Sequence, residues 1–179
     1  SIAMADVDGD GDNDVLITGV NPSNLGIAKL YLNNGTGIFT QVLNTPFDGV
    51  RNSSIAFDDI DGDNDLDVLI TGTNTNNTII SKMYLNDSTG TFTLLNNSPF
   101  DPIWLSSVKF LDIDNDSDLD VLISGGSIRT SRISKIYKNT SCFATLNNVT
   151  ITVCDSNYTW SLNGITYSYS GVYLDTILN

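Results

Sequence analysis

The chain contains no histidine and no glutamate. Those residues supply most proton-transfer chemistry, so an acid–base active site has few candidates here. Basic residues are scarce too: eight Lys and Arg against 21 acidic residues, all of them aspartate, leave a formal net charge of −13. A surface of that sign repels nucleic-acid phosphates and anionic membranes, so cations are the favoured partners. No apolar run approaches the ~18 residues needed to span a bilayer. No stretch reads as a signal peptide, but Ser1 falls inside a repeat, so the chain reads as a fragment or a processed form and a missing export signal says nothing about location. Against these absences stand 179 residues, 40% of them hydrophobic, enough for one or two small domains with a real core.

The chain repeats itself at one interval. "SIAMADVDGDGDNDVLITG" aligns without a gap with "SIAFDDIDGDNDLDVLITG" and "SVKFLDIDNDSDLDVLISG", each 53 residues on, so that Asp6 maps to Asp59 and Asp112. Tyr31, Tyr84 and Tyr137 keep the same interval, as do Asn33, Asn86 and Asn139. Phe39 pairs with Phe92, and Pro46-Phe47 with Pro99-Phe100.

Each unit reads as short strands between turns, with no helical periodicity. Ile55 and Phe57 alternate with small or polar residues before the aspartates, the pattern of a half-buried strand. Val-Leu-Ile follows at 15–17, 68–70 and 121–123, ended by Gly19, Gly72 and Gly125, which predicts a strand covered on both faces. "AKLYLN" and "SKMYLN" predict a third strand, "IFTQVL" and "TFTLLN" a fourth, with "NGTG" and "DSTG" turning between them. Four strands in about 50 residues make one β-propeller blade. The fold class expected is therefore all-β.

The aspartates occupy alternate positions of a nine-residue loop, five per unit, so fifteen of the 21 lie in these loops. Oxygens at positions 1, 3, 5 and 9 converge if the backbone curls around a point, and calcium takes 6 to 8 such oxygens at about 2.3–2.6 Å. The expected side-chain ligands are Asp6, Asp8, Asp10 and Asp14, then Asp59, Asp61, Asp63 and Asp67, then Asp112, Asp114, Asp116 and Asp120. The backbone carbonyls of Asp12, Asp65 and Asp118 complete the sets. This predicts about three calcium sites, one per repeat. Gly9, Gly11 and Gly62 permit the curl, and Asn64 and Asn115 tolerate a left-handed backbone. Ser117 is less permissive, which predicts the weakest site in the third loop. An EF-hand is excluded, because its twelfth position requires a bidentate glutamate and here holds Ile17, Ile70 or Ile123 between strands. Solvated acidic turns are the plain alternative, disfavoured by the repulsion of five close charges.

"F-x-D-I-D-G-D-N-D-L-D-V-L-I-T-G", followed by "MYLN" and "G-T-F", resembles the FG-GAP/VCBS repeat of integrin-α-type β-propellers. The resemblance covers roughly residues 1–137. It implies calcium held between two blade strands, seven blades around an axis, and adhesion or ligand binding outside the cell. Three repeats do not close a seven-bladed ring, so an incomplete ring or an open array is expected. The function implied is a calcium-stabilised, non-catalytic extracellular or cell-surface module that recognises a glycan or a protein. The rival readings are the scaffold of a secreted polysaccharide-degrading enzyme and a spacer in a large surface protein.

After Tyr137 the register fails, and residues 138–179 read as a separate small β module. "CDSNYTWSLNGITYSYSGVYLDTIL" resembles the cysteine-containing C-terminal β-repeats of large secreted proteins of Bacteroidetes-type bacteria. Tyr158 and Trp160, then Tyr167 and Tyr169, alternate as strands around an "LNG" turn and are expected as core or cross-strand pairs rather than a sugar platform. Cys142 and Cys154 oppose each other if Asn147-Asn148 makes a two-residue turn. Otherwise each belongs to its own repeat copy, and both readings stay open.

Overall fold

The computed structural model describes residues 1–116, 118–127, 131–139, 158–159 and 166–167. Every regular element among them is a strand. The first unit holds β1 (Ile2–Ala5), β2 (Asp14–Val20), β3 (Gly26–Asn33) and β4 (Phe39–Gln41). The second holds β5 (Val50–Asp58), β6 (Asp67–Asn74), β7 (Ile79–Leu85) and β8 (Thr93–Leu94). The third holds β9 (Trp104–Leu111), β10 (Asp120–Ser127) and β11 (Ser131–Tyr137). Each unit is an antiparallel meander in one register: Ile2 faces Ile17, Ile55 faces Ile70 and Val108 faces Ile123. A single pairing of Ile27 with Val50 joins the first two meanders into one sheet. Among the described residues no ring closes. Farther on, β12 (Tyr158–Thr159) pairs antiparallel with β13 (Thr166–Tyr167), so Tyr158 and Tyr167 lie opposite each other as strand residues. Trp160, Tyr169, Cys142 and Cys154 lie outside the described residues.

The units pack face against face. Val7, Leu16, Leu30 and Phe47 of the first unit close on Val68, Ile70, Tyr84 and Phe92 of the second. Leu69 and Met83, from the opposite face of the second unit, close on Ile103, Val108, Val121 and Ile123 of the third. Each such fully buried side chain contributes roughly 1.5–3 kcal/mol. Coverage of Val-Leu-Ile on both faces therefore holds only in the middle unit, where Val68, Leu69 and Ile70 are all buried. In the first unit Leu16 is buried while Val15 and Ile17 are half-buried, and in the third Leu122 is exposed. Identical strands differ because only the middle one has a neighbour on each side. The outer face of the first unit shows the same effect: Ile2 is 68% exposed and Phe39 44%, whereas their counterparts Ile55 and Phe92 are 8% and 5% exposed.

Polar contacts between units also recur at the repeat interval. The Tyr84 hydroxyl accepts the Asp48 N–H at 3.2 Å and that of Tyr137 accepts the Asp101 N–H at 2.9 Å. Phe47 and Phe100 meet those tyrosines edge to face. The hydroxyls of Thr18 and Ser53, and of Thr71 and Ser106, share hydrogen bonds of 2.7 Å.

The glycines expected to end the second strands do not, since those strands run on to Val20, Asn74 and Ser127. Gly72 instead lies opposite a bulge between Arg51 and Ser54. Its φ is +144°, and a Cβ there would stand 2.8 Å from the Arg51 carbonyl oxygen. The glycine marks a close backbone approach inside a strand.

Candidate metal centres

The three acidic loops join β1 to β2, β5 to β6 and β9 to β10. Their curl is made by the backbone bonding to the first aspartate. Asp6 accepts the N–H groups of Gly9 and Gly11, both at 2.9 Å. Asp59 accepts those of Gly62 at 2.7 Å, Asp63 at 3.1 Å and Asn64 at 2.9 Å. Asp112 accepts that of Asp116 at 3.2 Å. The turn requires positive φ at the fourth and sixth positions: Gly9 (+73°), Gly11 (+93°), Gly62 (+79°), Asn64 (+72°) and Asn115 (+62°) all adopt it. Ser117 lies outside the described residues, so the ranking drawn from it does too.

The ninth aspartate anchors each loop from below. Asp14 accepts the N–H of Val7 at 2.9 Å on one oxygen and that of Asn33 at 2.8 Å on the other. Asp67 does the same with Ile60 (3.2 Å) and Asn86 (2.9 Å), and Asp120 with Ile113 (3.0 Å) and Asn139 (2.8 Å). These carboxylates, expected as ligands, are thus first of all acceptors for buried backbone donors. Each oxygen keeps further lone-pair capacity for a cation. Sequence reasoning missed the partner asparagines, although their recurrence at the 53-residue interval was the available signal.

Carboxylate oxygens converge in all three loops. Asp6, Asp8 and Asp10 form one group, Asp59, Asp61 and Asp67 a second, and Asp112, Asp114 and Asp120 a third, with one oxygen from each member within 4.8 Å of the others. Two oxygens on one calcium stand at most about 5 Å apart, so the spacing fits. Positions 1 and 3 join in every loop, position 5 in the first and position 9 in the second and third. Of the predicted side-chain ligands, Asp14, Asp63 and Asp116 fall outside these groups. At the seventh position, where backbone carbonyls are the expected ligands, Asp65 accepts the Ser88 hydroxyl while the Asp12 side chain lies against Gly35. Asp118 is only 5% exposed, and both its carboxylate oxygens lack a hydrogen-bond partner, as does Oδ1 of Asp61.

Such orphaned acceptors are costly unless a cation or proton meets them. Burial raises the Asp67 carboxyl to about 7, against the opposing pull of the Asn86 and Ile60 N–H groups. Burial, reinforced by Asp116, Asp120 and Asp114, also raises Asp118. Burial lifts Asp8 and Asp61 as well, with neighbouring aspartates adding to it. Two carboxylates 4.8 Å apart repel by about 3–4 kcal/mol at an effective dielectric near 20. A divalent cation reverses that sign, and the residues present fit one in each loop.

A lysine from beyond β11 sets the third loop apart. Lys138 stands where the other units have Leu32 and Leu85, and its Nζ lies 2.6 Å from Asp114 Oδ2. The ammonium holds Asp114 below the usual carboxylate range. A tethered cation at a position-3 aspartate competes with a free one. Lys138→Leu is therefore expected to tighten calcium binding at the third loop several-fold, and more than at the first two loops, in calorimetric titrations of the full chain. Unchanged third-loop affinity would show the ammonium to be a bystander.

FG-GAP-like repeats match the chain at residues 6–70 and 59–123, together well over half its length. The chain belongs to the FG-GAP-like repeat family. The two matches run from the first aspartate of one loop to the strand beyond the next loop, so each match on this FG-GAP-like chain spans two successive acidic loops. No curated protein and no solved structure matches it. FG-GAP repeats are typical of extracellular proteins. Among the described residues no helix is long and apolar enough to cross a membrane.

Proposed function

We propose that the chain is a calcium-stabilised, non-catalytic extracellular module for adhesion or for recognition of a glycan or protein ligand. The observation that carries this reading is the recurrence of three converging carboxylate groups at one repeat position, with buried Asp61 and Asp118 oxygens left without partners. Asp6, Asp8 and Asp10, Asp59, Asp61 and Asp67, and Asp112, Asp114 and Asp120 would hold the ions, and the unpartnered Asp118 carboxylate would contribute in the third loop. Bound calcium supplies charge neutralisation, which pins the loop between the first and second strands of each unit. The metal's role is structural, because aspartates crowd the loop and leave few coordination positions for a substrate. Binding of the chain to glycan and protein arrays, in calcium and in EDTA, tests the proposal. Calcium-dependent capture of a defined ligand without turnover is expected. Cleavage of a bound polysaccharide, or capture indifferent to EDTA, would overturn it.

A further inference from the structure

We infer that Asn86 and Asn139 couple neighbouring metal loops, so that filling one loop tightens the next. The inference rests on the calcium reading above. Val7 sits between Asp6 and Asp8, both members of the first carboxylate group. Its carbonyl oxygen accepts the Asn86 Nδ2–H at 2.8 Å from the second unit. The same asparagine donates its backbone N–H to Asp67, a member of the second group. The path then repeats. Asp67 accepts the Ile60 N–H, Ile60 sits between Asp59 and Asp61, and its carbonyl accepts the Asn139 Nδ2–H at 3.3 Å. Asn139 donates its backbone N–H to Asp120, in the third group. One run of hydrogen bonds thus crosses all three loops, passing from the second position of one loop to the ninth of the next.

A cation that draws Asp6 and Asp8 together fixes Val7 between them, and Val7 is fully buried. The fixed carbonyl orients the Asn86 amide, which orients the N–H that holds Asp67 in its ligating position. By linkage the effect runs equally in reverse. A second bond, from Gly90 N–H to the Val7 carbonyl at 2.9 Å, keeps the units docked when the Asn86 amide is removed. Asn33 provides an internal control. It holds the same repeat position, but among the described residues its Nδ2 reaches the Asn13 carbonyl of its own unit, at 3.2 Å, and no other loop.

A double-mutant cycle on the full chain, read by calcium calorimetry, tests the coupling. Asp8→Asn, which cripples the first loop, should weaken calcium binding at the second loop roughly two- to ten-fold, the worth of one hydrogen bond. In the Asn86→Ala background Asp8→Asn should no longer reach the second loop. In the Asn33→Ala background the full effect should persist. Asn139→Ala probes the second and third loops in the same way and stands in if Asn86→Ala fails to fold. Loops that bind calcium but respond to Asp8→Asn identically in all backgrounds would overturn the coupling alone. A wild-type chain that takes up no calcium would overturn the calcium reading and the coupling with it.

Discussion

Calcium is expected to raise the melting temperature by roughly 5–10 °C for each loop it fills, and excess EDTA to remove the gain. A ligand held only by the folded state adds about 2.7 kcal/mol per site at 100-fold excess over its Kd, and 1 kcal/mol shifts the midpoint of a chain this size by about 2–4 °C. The gain is large because the metal-free loops are under electrostatic load. The Asp67 carboxyl lies at about 7 in the fold against 3.8 in its absence. The folded state therefore holds a proton that the unfolded chain releases. Its stabilising effect is present below pH 4 and is lost as pH rises through 7. The rise from 3.8 to about 7 bounds the loss at about 4 kcal/mol. In EDTA the melting temperature should thus fall from pH 4 to pH 7, and in calcium the fall should be much smaller, because the cation takes the proton's place. Differential scanning calorimetry across that range checks both statements. A chelator-insensitive curve would remove the metal from the account, and an EDTA curve that rises with pH would show that the buried carboxylates are not the strained groups.

Asp67→Ala is expected to cost about 2–5 kcal/mol even in EDTA, where Asp87→Ala should cost less than about 1 kcal/mol. The two substitutions delete the same charge. Asp67 is fully buried and accepts the N–H groups of Ile60 and Asn86, which lose their acceptor together. Each buried donor left unsatisfied costs about 1–3 kcal/mol. Asp87 is exposed and bonds only within its own turn, to Thr89. In calcium the gap should widen further, since Asp67 also belongs to the second carboxylate group. Urea denaturation in both buffers measures the difference. Equal losses of stability and calcium affinity in the two variants would mean that bulk charge, not position, governs the loops.

Much of the architecture was legible in the residues because it is written three times. Alternating or continuous apolar positions select strands whatever their surroundings, and the 53-residue offset aligned the three acidic loops and the strands of the units up to Tyr137. The turn chemistry was legible as well: glycine or asparagine at the fourth and sixth loop positions met the positive φ that the structure has at Gly9, Gly11, Gly62, Asn64 and Asn115. The fourth strands proved shorter than expected, three residues at Phe39–Gln41 and two at Thr93–Leu94, because few backbone pairs remain at the outer edge of each meander. The second-strand glycines were misread as strand ends. A bulge on the partner strand, which no local pattern encodes, is what requires Gly72.

Local order belongs to the sequence in this protein: strand positions, loop curl and carboxylate spacing follow from preferences and charges within about ten residues of one another. The tertiary structure decided how identical positions differ. Leu69 and Leu122 occupy the same place in their units, yet one is buried and the other exposed, because a neighbouring unit covers only the first. Asn33 and Asn86 likewise share a repeat position, yet only Asn86 reaches the loop of a preceding unit, at Val7. Repetition gives every copy the same groups to offer, and packing determines which of them find a partner.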